Sequence, residues 1–284
     1  MKALALGLAL GLTLGLGCTT VITPPQDNDP NRESWVAPWD QVARKHEALA
    51  SLTISRLRTG RHLTLSSLRA GVGAPARLPS GACALIVIEG AGKATGPDQN
   101  EDLEPGQIVV FPDGAEVTIS SSEILRGILV GAPKPGPRGP WHVLDIATIP
   151  VSGEKPGGQA EIVRLEGALS LRSLTVFPLG GIRRHVHLAH DSVFLFLSGE
   201  GKIGLGSEPG TDTTGPSLRD RDLKRSYVMT PVGEEALVFL PTGSVHSFVA
   251  VGNNRVLALQ FFGPAFDGTD GHTIPARAGA SPGG

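Results

Sequence analysis

Gly180-Gly-Ile-Arg-Arg-His185-Val-His187-Leu-Ala-His190-Asp191-Ser192 runs into the apolar stretch Val193-Phe-Leu-Phe-Leu197 and closes with Ser198-Gly199-Glu-Gly201. On an extended strand, residues i and i+2 point to the same face, so His185 and His187 aim at one point. Further on, Pro241-Thr-Gly243-Ser-Val-His246 places a turn before a strand that carries a third histidine. Neutral imidazoles converging on one spot suit a divalent transition metal. His190 is a fourth candidate, with a solvated loop histidine as the plainer reading.

The spacing resembles the two signature motifs of the cupin superfamily, small β-barrels with a metal inside. The first motif reads Gly, a few residues, His-x-His, three or four residues, Glu, six residues, Gly. The second reads Pro-x-Gly-x-x-His. His185, His187 and His246 fall on the three histidine places. The acidic place is split. A three-residue gap from His187 gives Asp191, a candidate fourth ligand, but then the distance to Gly199 is one residue too long. A four-residue gap gives Ser192, and the distance fits. The resemblance implies an all-β fold and one divalent ion (Fe, Mn, Zn, Ni or Cu).

The chain also repeats itself. Ala84-Leu-Ile-Val-Ile-Glu-Gly90-Ala-Gly92-Lys93 lies over Val193-Phe-Leu-Phe-Leu-Ser-Gly199-Glu-Gly201-Lys202, and in the same register Gly71 falls on Gly180. Pro112-Asp-Gly114-Ala-Glu-Val117 matches Pro241-Thr-Gly243-Ser-Val-His246. An internal repeat of this kind, joined to the resemblance, implies two tandem cupin-type antiparallel β-barrels (double-stranded β-helices), a bicupin. Ala76, Leu78 and Val117 stand where the second half has its histidines, and none of them binds a metal. The first barrel, 39–135, is therefore read as degenerate. A Pro/Gly-rich connection at 132–140 leads to the metal-binding barrel, 141–268, and a flexible tail, 269–284.

The N-terminus reads as a targeting segment. Lys2 precedes an apolar stretch that ends Leu14-Gly-Leu-Gly17-Cys18-Thr19. The stretch is short for a membrane span and has the shape of a secretory signal. A small residue before a cysteine resembles the bacterial lipobox, although Gly15 stands where that motif prefers Leu. Residues 1–18 are thus expected to be a lipoprotein signal with Cys18 lipidated, and 19–38 a polar tether. The implied location is the bacterial envelope, at the outer membrane facing the periplasm. Asp40 is placed to cap a short N-terminal helix, 41–50.

Composition limits the function. Gly 38 and Pro 23 with 5% aromatics favour short strands and many turns. A net charge of −2 gives no sign of a nucleic-acid partner. The two cysteines, Cys18 and Cys83, are not expected to pair. Candidate catalytic residues are Gln260, Arg184 and Tyr227, and Arg183, Phe194, Phe196 and Phe248 are further pocket candidates. An insertion from Leu205 to Lys224 is read as a lid or a surface excursion. Three readings follow: a metal-dependent oxygenase or isomerase acting on a small molecule, a non-catalytic small-ligand-binding lipoprotein, or a structural envelope protein. A homodimer fits each of them.

Overall fold

The structure is a computed structural model and describes residues 20–23, 34–39, 52–73, 75–149, 158–206 and 228–273. The described residues form an all-β fold of four sheets arranged as two facing pairs. In the first half, a seven-stranded sheet runs β1 (Thr20–Thr23), β3 (Leu52–Thr59), β4 (Thr64–Ala70), β11 (Leu125–Gly131), β6 (Cys83–Glu89), β9 (Gln107–Phe111), β12 (His142–Asp145). Its partner runs β5 (Ala76–Arg77), β10 (Thr118–Ser121), β7 (Gly92–Thr95), β8 (Asn100–Leu103). In the second half, a six-stranded sheet runs β13 (Gly158–Leu165), β14 (Leu169–Val176), β21 (Val256–Gly263), β16 (Asp191–Ser198), β19 (Ala236–Leu240), β2 (Trp35–Pro38). The facing sheet runs β18 (Val228–Val232), β17 (Glu200–Gly206), β20 (Val245–Val251), β15 (Gly181–His187), β22 (Gly271–Thr273).

Three apolar cores result. One fills the first sheet pair and includes Leu85, Val109, Phe111 and Val117. A second fills the other pair and includes Phe194, Phe196, Val238 and Phe248. The third joins the halves. The two large sheets lie back to back, with Leu65, Ala84, Ile86 and Val110 on one side and Leu171, Val193, Leu195, Phe239 and Phe261 on the other. This explains why β6 is apolar without a break from Ala84 to Ile88 and β16 from Val193 to Leu197. A strand with one wet face alternates apolar and polar residues, whereas a strand buried on both faces needs apolar residues throughout.

Both ends of the chain depart from the expected boundaries. Residues 35–38, assigned to the tether, are a strand that pairs with β19 of the second half, Trp35 opposite Phe239. Thr20–Thr23, also within the tether reading, runs parallel to β3. Residues 142–145, assigned to the second barrel, pair instead with β9 of the first half. Each half thus covers an edge of the other's large sheet, which removes a row of unpaired backbone groups. Gly271–Thr273, assigned to a flexible tail, pairs with the strand carrying His185 and His187. The expected helix at 41–50, Cys18 and most of the insertion at 205–224 lie outside the described residues. Cys83 is free and buried, and burial, with the nearby Asp113 charge, pushes its thiol up to about 12.

Candidate metal centre

Two strands and a turn bring the three histidines together. His185 and His187 lie on β15, and His185 sits directly opposite His246 on β20. The turn before β20 is Pro241-Thr-Gly243. Gly243 has φ +86, a conformation that costs glycine little. The amide of Gly243 donates to the carbonyl of His187 at 2.8 Å, so the turn is tied to the strand it must face. Ring centroids are 4.1 Å apart for His185 and His246, 4.9 Å for His185 and His187, and 5.4 Å for His187 and His246. One nitrogen from each residue lies within 4.8 Å of the others.

Two of the outward nitrogens are held in place. His185 Nδ1 is 2.9 Å from the carbonyl of Arg183, and His246 Nδ1 is 3.0 Å from that of Ser244. A carbonyl only accepts, so each Nδ1 carries the proton and each Nε2 keeps its lone pair. That is how protein histidines are prepared for a metal. His187 Nδ1 faces Oδ2 of Asp270 at 3.9 Å. The buried Nε2 of His246 has no hydrogen-bond partner. Unpaired buried nitrogen is costly unless something outside the protein takes the lone pair. The donor set therefore fits a divalent transition ion.

Electrostatics keep the trio neutral. Burial lowers the pKa of His246 well below its ordinary value, helped by the neighbouring charge of His185. Burial also lowers His185, against the pull of the Arg183 carbonyl. His187 falls from 6.5 to about 4, again chiefly by burial. An unfolded chain takes up these protons near 6.5, while the folded chain holds His187 neutral to about 4. The unfolded state thus binds more protons across that window, and stability drops as pH falls through it. Metal-stripped protein should accordingly show a falling thermal midpoint between pH 6.5 and 4. His187→Gln should flatten that slope, and equal slopes in the two proteins would refute the assignment.

Asp191 is not turned to the trio. It is fully buried. Its Oδ2 accepts from the amides of His62 and, at 2.8 Å, Leu63. Its Oδ1 accepts from the amide and hydroxyl of Thr242 at 2.6 and 2.7 Å. A Cβ on Gly60 would run into this carboxylate. Asp191 therefore staples the first half to the turn of the second motif. His190 is neither solvated nor part of the trio. It is buried, with Nδ1 2.7 Å from Oδ2 of Asp270.

Asp270 is the residue that sequence reasoning missed. Its carboxylate accepts from the amides of Leu188 and Ala189 at 3.1 and 2.8 Å as well as from His190. Burial alone would raise its pKa, but these donors outweigh it and hold the carboxyl below its ordinary range. His187 and His190 both pack against the stacked rings of Phe262 and Phe266. The only signal in the sequence was Asp270-Gly-His272, inside a stretch read as tail.

The other candidates separate. Phe194, Phe196 and Phe248, with Leu174, Ile182 and Ile203, wall a narrow cavity that is polar only at His246 and Ser247. Gln260 is buried opposite Phe194 and Arg172, and its Oε1 accepts from Gln159 at 3.4 Å. Arg183 is exposed and Arg184 half-buried on β15, and neither lines the cavity. Tyr227 lies outside the described residues.

No family model and no curated protein matches the sequence. Solved structures do match the fold. A cupin 2 conserved barrel domain protein from Leptotrichia buccalis superposes with a TM-score of 0.59 at 12% identity, over 81% of this chain and 96% of that one. Protein Ylba from E. coli gives 0.54 at 14% identity, over 84% and 93%. A mutant of Bacillus subtilis oxalate decarboxylase gives 0.52 at 13% identity, over 82% and 78%. The chain shares the fold of these structures, a cupin barrel protein among them.

Proposed function

We propose that this protein is a metal-dependent bicupin of the bacterial envelope that acts on a small molecule as an oxygenase or isomerase. One observation carries the reading: three histidines converge, two of them with Nδ1 held by a backbone carbonyl, and the Nε2 of His246 is buried without a partner. Bound there, a divalent ion would supply Lewis-acid or O2 chemistry. The protein's own part is to hold three neutral ligands, to keep an apolar wall of Phe194, Phe196 and Phe248 beside them, and to exclude bulk water. The bicupin reading is supported by the first half, where Ala76, Leu78 and Val117 are buried in an apolar core in place of ligands. The lipid anchor on Cys18 and the outer-membrane location rest on the sequence of residues 1–18, and detergent partition of the mature protein tests them.

The test of the function is metal analysis of purified protein by mass spectrometry, with spectra recorded under O2 and without it. One equivalent of a redox-active metal whose spectrum changes under O2 supports an oxygenase. A spectroscopically silent metal supports the isomerase branch, and no bound metal removes the proposal. Oxalate decarboxylase shares the fold, but at 13% identity it lends no substrate.

A further inference from the structure

An ion held by His185, His187 and His246 alone keeps its full positive charge, because all three ligands are neutral. Burying a charge without a counter-charge is costly. Among the described residues two carboxylates lie near the trio: Asp191 is turned away, and Asp270 reaches only the back of His187, 3.9 Å from its Nδ1. The oxygens of Asp191 are taken by His62, Leu63 and Thr242. Asp270 stands behind His187 and is held by Leu188, Ala189 and His190.

The wall opposite the trio offers a hydroxyl instead. Ser192 lies on β16 in the same alternation as Phe194 and Phe196, so its side chain points to the inner face. Phe194 is 6.4 Å from His246, ring to ring. Across the ladder Ser192 pairs with Phe262, whose ring is 5.4 Å from that of His187. Ser192 is 1% exposed, and its Oγ has no hydrogen-bond partner. A buried hydroxyl without a partner is uncommon and signals an absent one.

We propose that the open side of the trio is a binding place for a small monoanion of one to three atoms. The anion is held by the ion and by a hydrogen bond donated from Ser192 Oγ. This rests on the reading of the trio as a metal centre. The counter-charge that neither Asp191 nor Asp270 brings to the open side is then supplied by the ligand, and Ser192 sets its position.

The test uses the full chain, stripped by chelator, loaded with Co(II) alone and titrated with azide while the visible spectrum is followed. Wild type should take up one Co(II) and show a saturable change with azide. Ser192→Ala should keep Co(II) and bind azide about tenfold more weakly, the loss expected for one hydrogen bond to a charged group. Ser192→Asp sets a carboxylate at the same place, so it should keep Co(II) and lose the azide response. A wild-type Co(II) spectrum indifferent to azide overturns the anion site and leaves the metal centre standing. So does equal azide affinity in wild type and Ser192→Ala. Failure of the wild type to bind Co(II) more tightly than His246→Ala overturns both.

Discussion

Replacing His246 with alanine should strip the protein of its metal and reverse its stability ranking against wild type. Two histidines one residue apart on a single strand remain, and they make a poor site without the third from β20. A ligand at a thousand times its dissociation constant stabilises a fold by about 4 kcal/mol, and the variant loses that contribution. Without metal the comparison changes sign. Wild type then buries an unpaired Nε2 at His246, and alanine does not. In the presence of metal His246→Ala should melt well below wild type, and in a strong chelator it should melt at or above it. Metal analysis and paired melting curves check both halves of the expectation. Full occupancy in the variant would end the assignment of His246 as a ligand.

Asp191→Ala should cost about 4 kcal/mol of folding stability, since it leaves one buried and three part-buried donors unpaired at the junction of the halves. The amides of His62, Leu63 and Thr242 and the Thr242 hydroxyl all end on this one carboxylate. The same substitution separates two roles. A ligand would lose metal with a modest change in the stripped protein. A staple loses stability in the stripped protein, and the metal still binds at temperatures where the fold persists. Denaturant unfolding of the chelated variant, with metal uptake measured at low temperature, decides between them. An unchanged unfolding midpoint together with lost metal would return Asp191 to the ligand set.

The legible parts of the sequence were those fixed by local periodicity. His-x-His followed by an apolar run and a glycine, then Pro-x-Gly-x-x-His, placed the three histidines and the strands that carry them. Asp191 and Ser192 were a coin toss from spacing alone. Side chains alternate along a strand, so a shift of one residue exchanges the wall of the site for the seam between halves. The structure puts Ser192 on the wall and Asp191 at the seam. Asp270 was illegible for another reason. It precedes a strand of only three residues, too short for any periodic signal, and its partners lie 80 or more residues away in the chain. The exchange of edge strands was hidden in the same way. Trp35–Pro38 and His142–Asp145 each read as extended chain, and nothing local says which sheet they join.

The back-to-back seam carries a consequence for symmetry. Ala84 and Ile86 occupy the same repeat positions as Val193 and Leu195, and all four lie in the one core that joins the halves. Equivalent patches meeting each other is the geometry of a two-fold homodimer interface, here closed within a single polypeptide. Covalent linkage makes that association independent of protein concentration. A chain cut at the Pro/Gly-rich connection would carry the seam as an open apolar surface of the kind that recruits a second copy. The second half, separated from the first, should therefore self-associate or aggregate rather than stand alone.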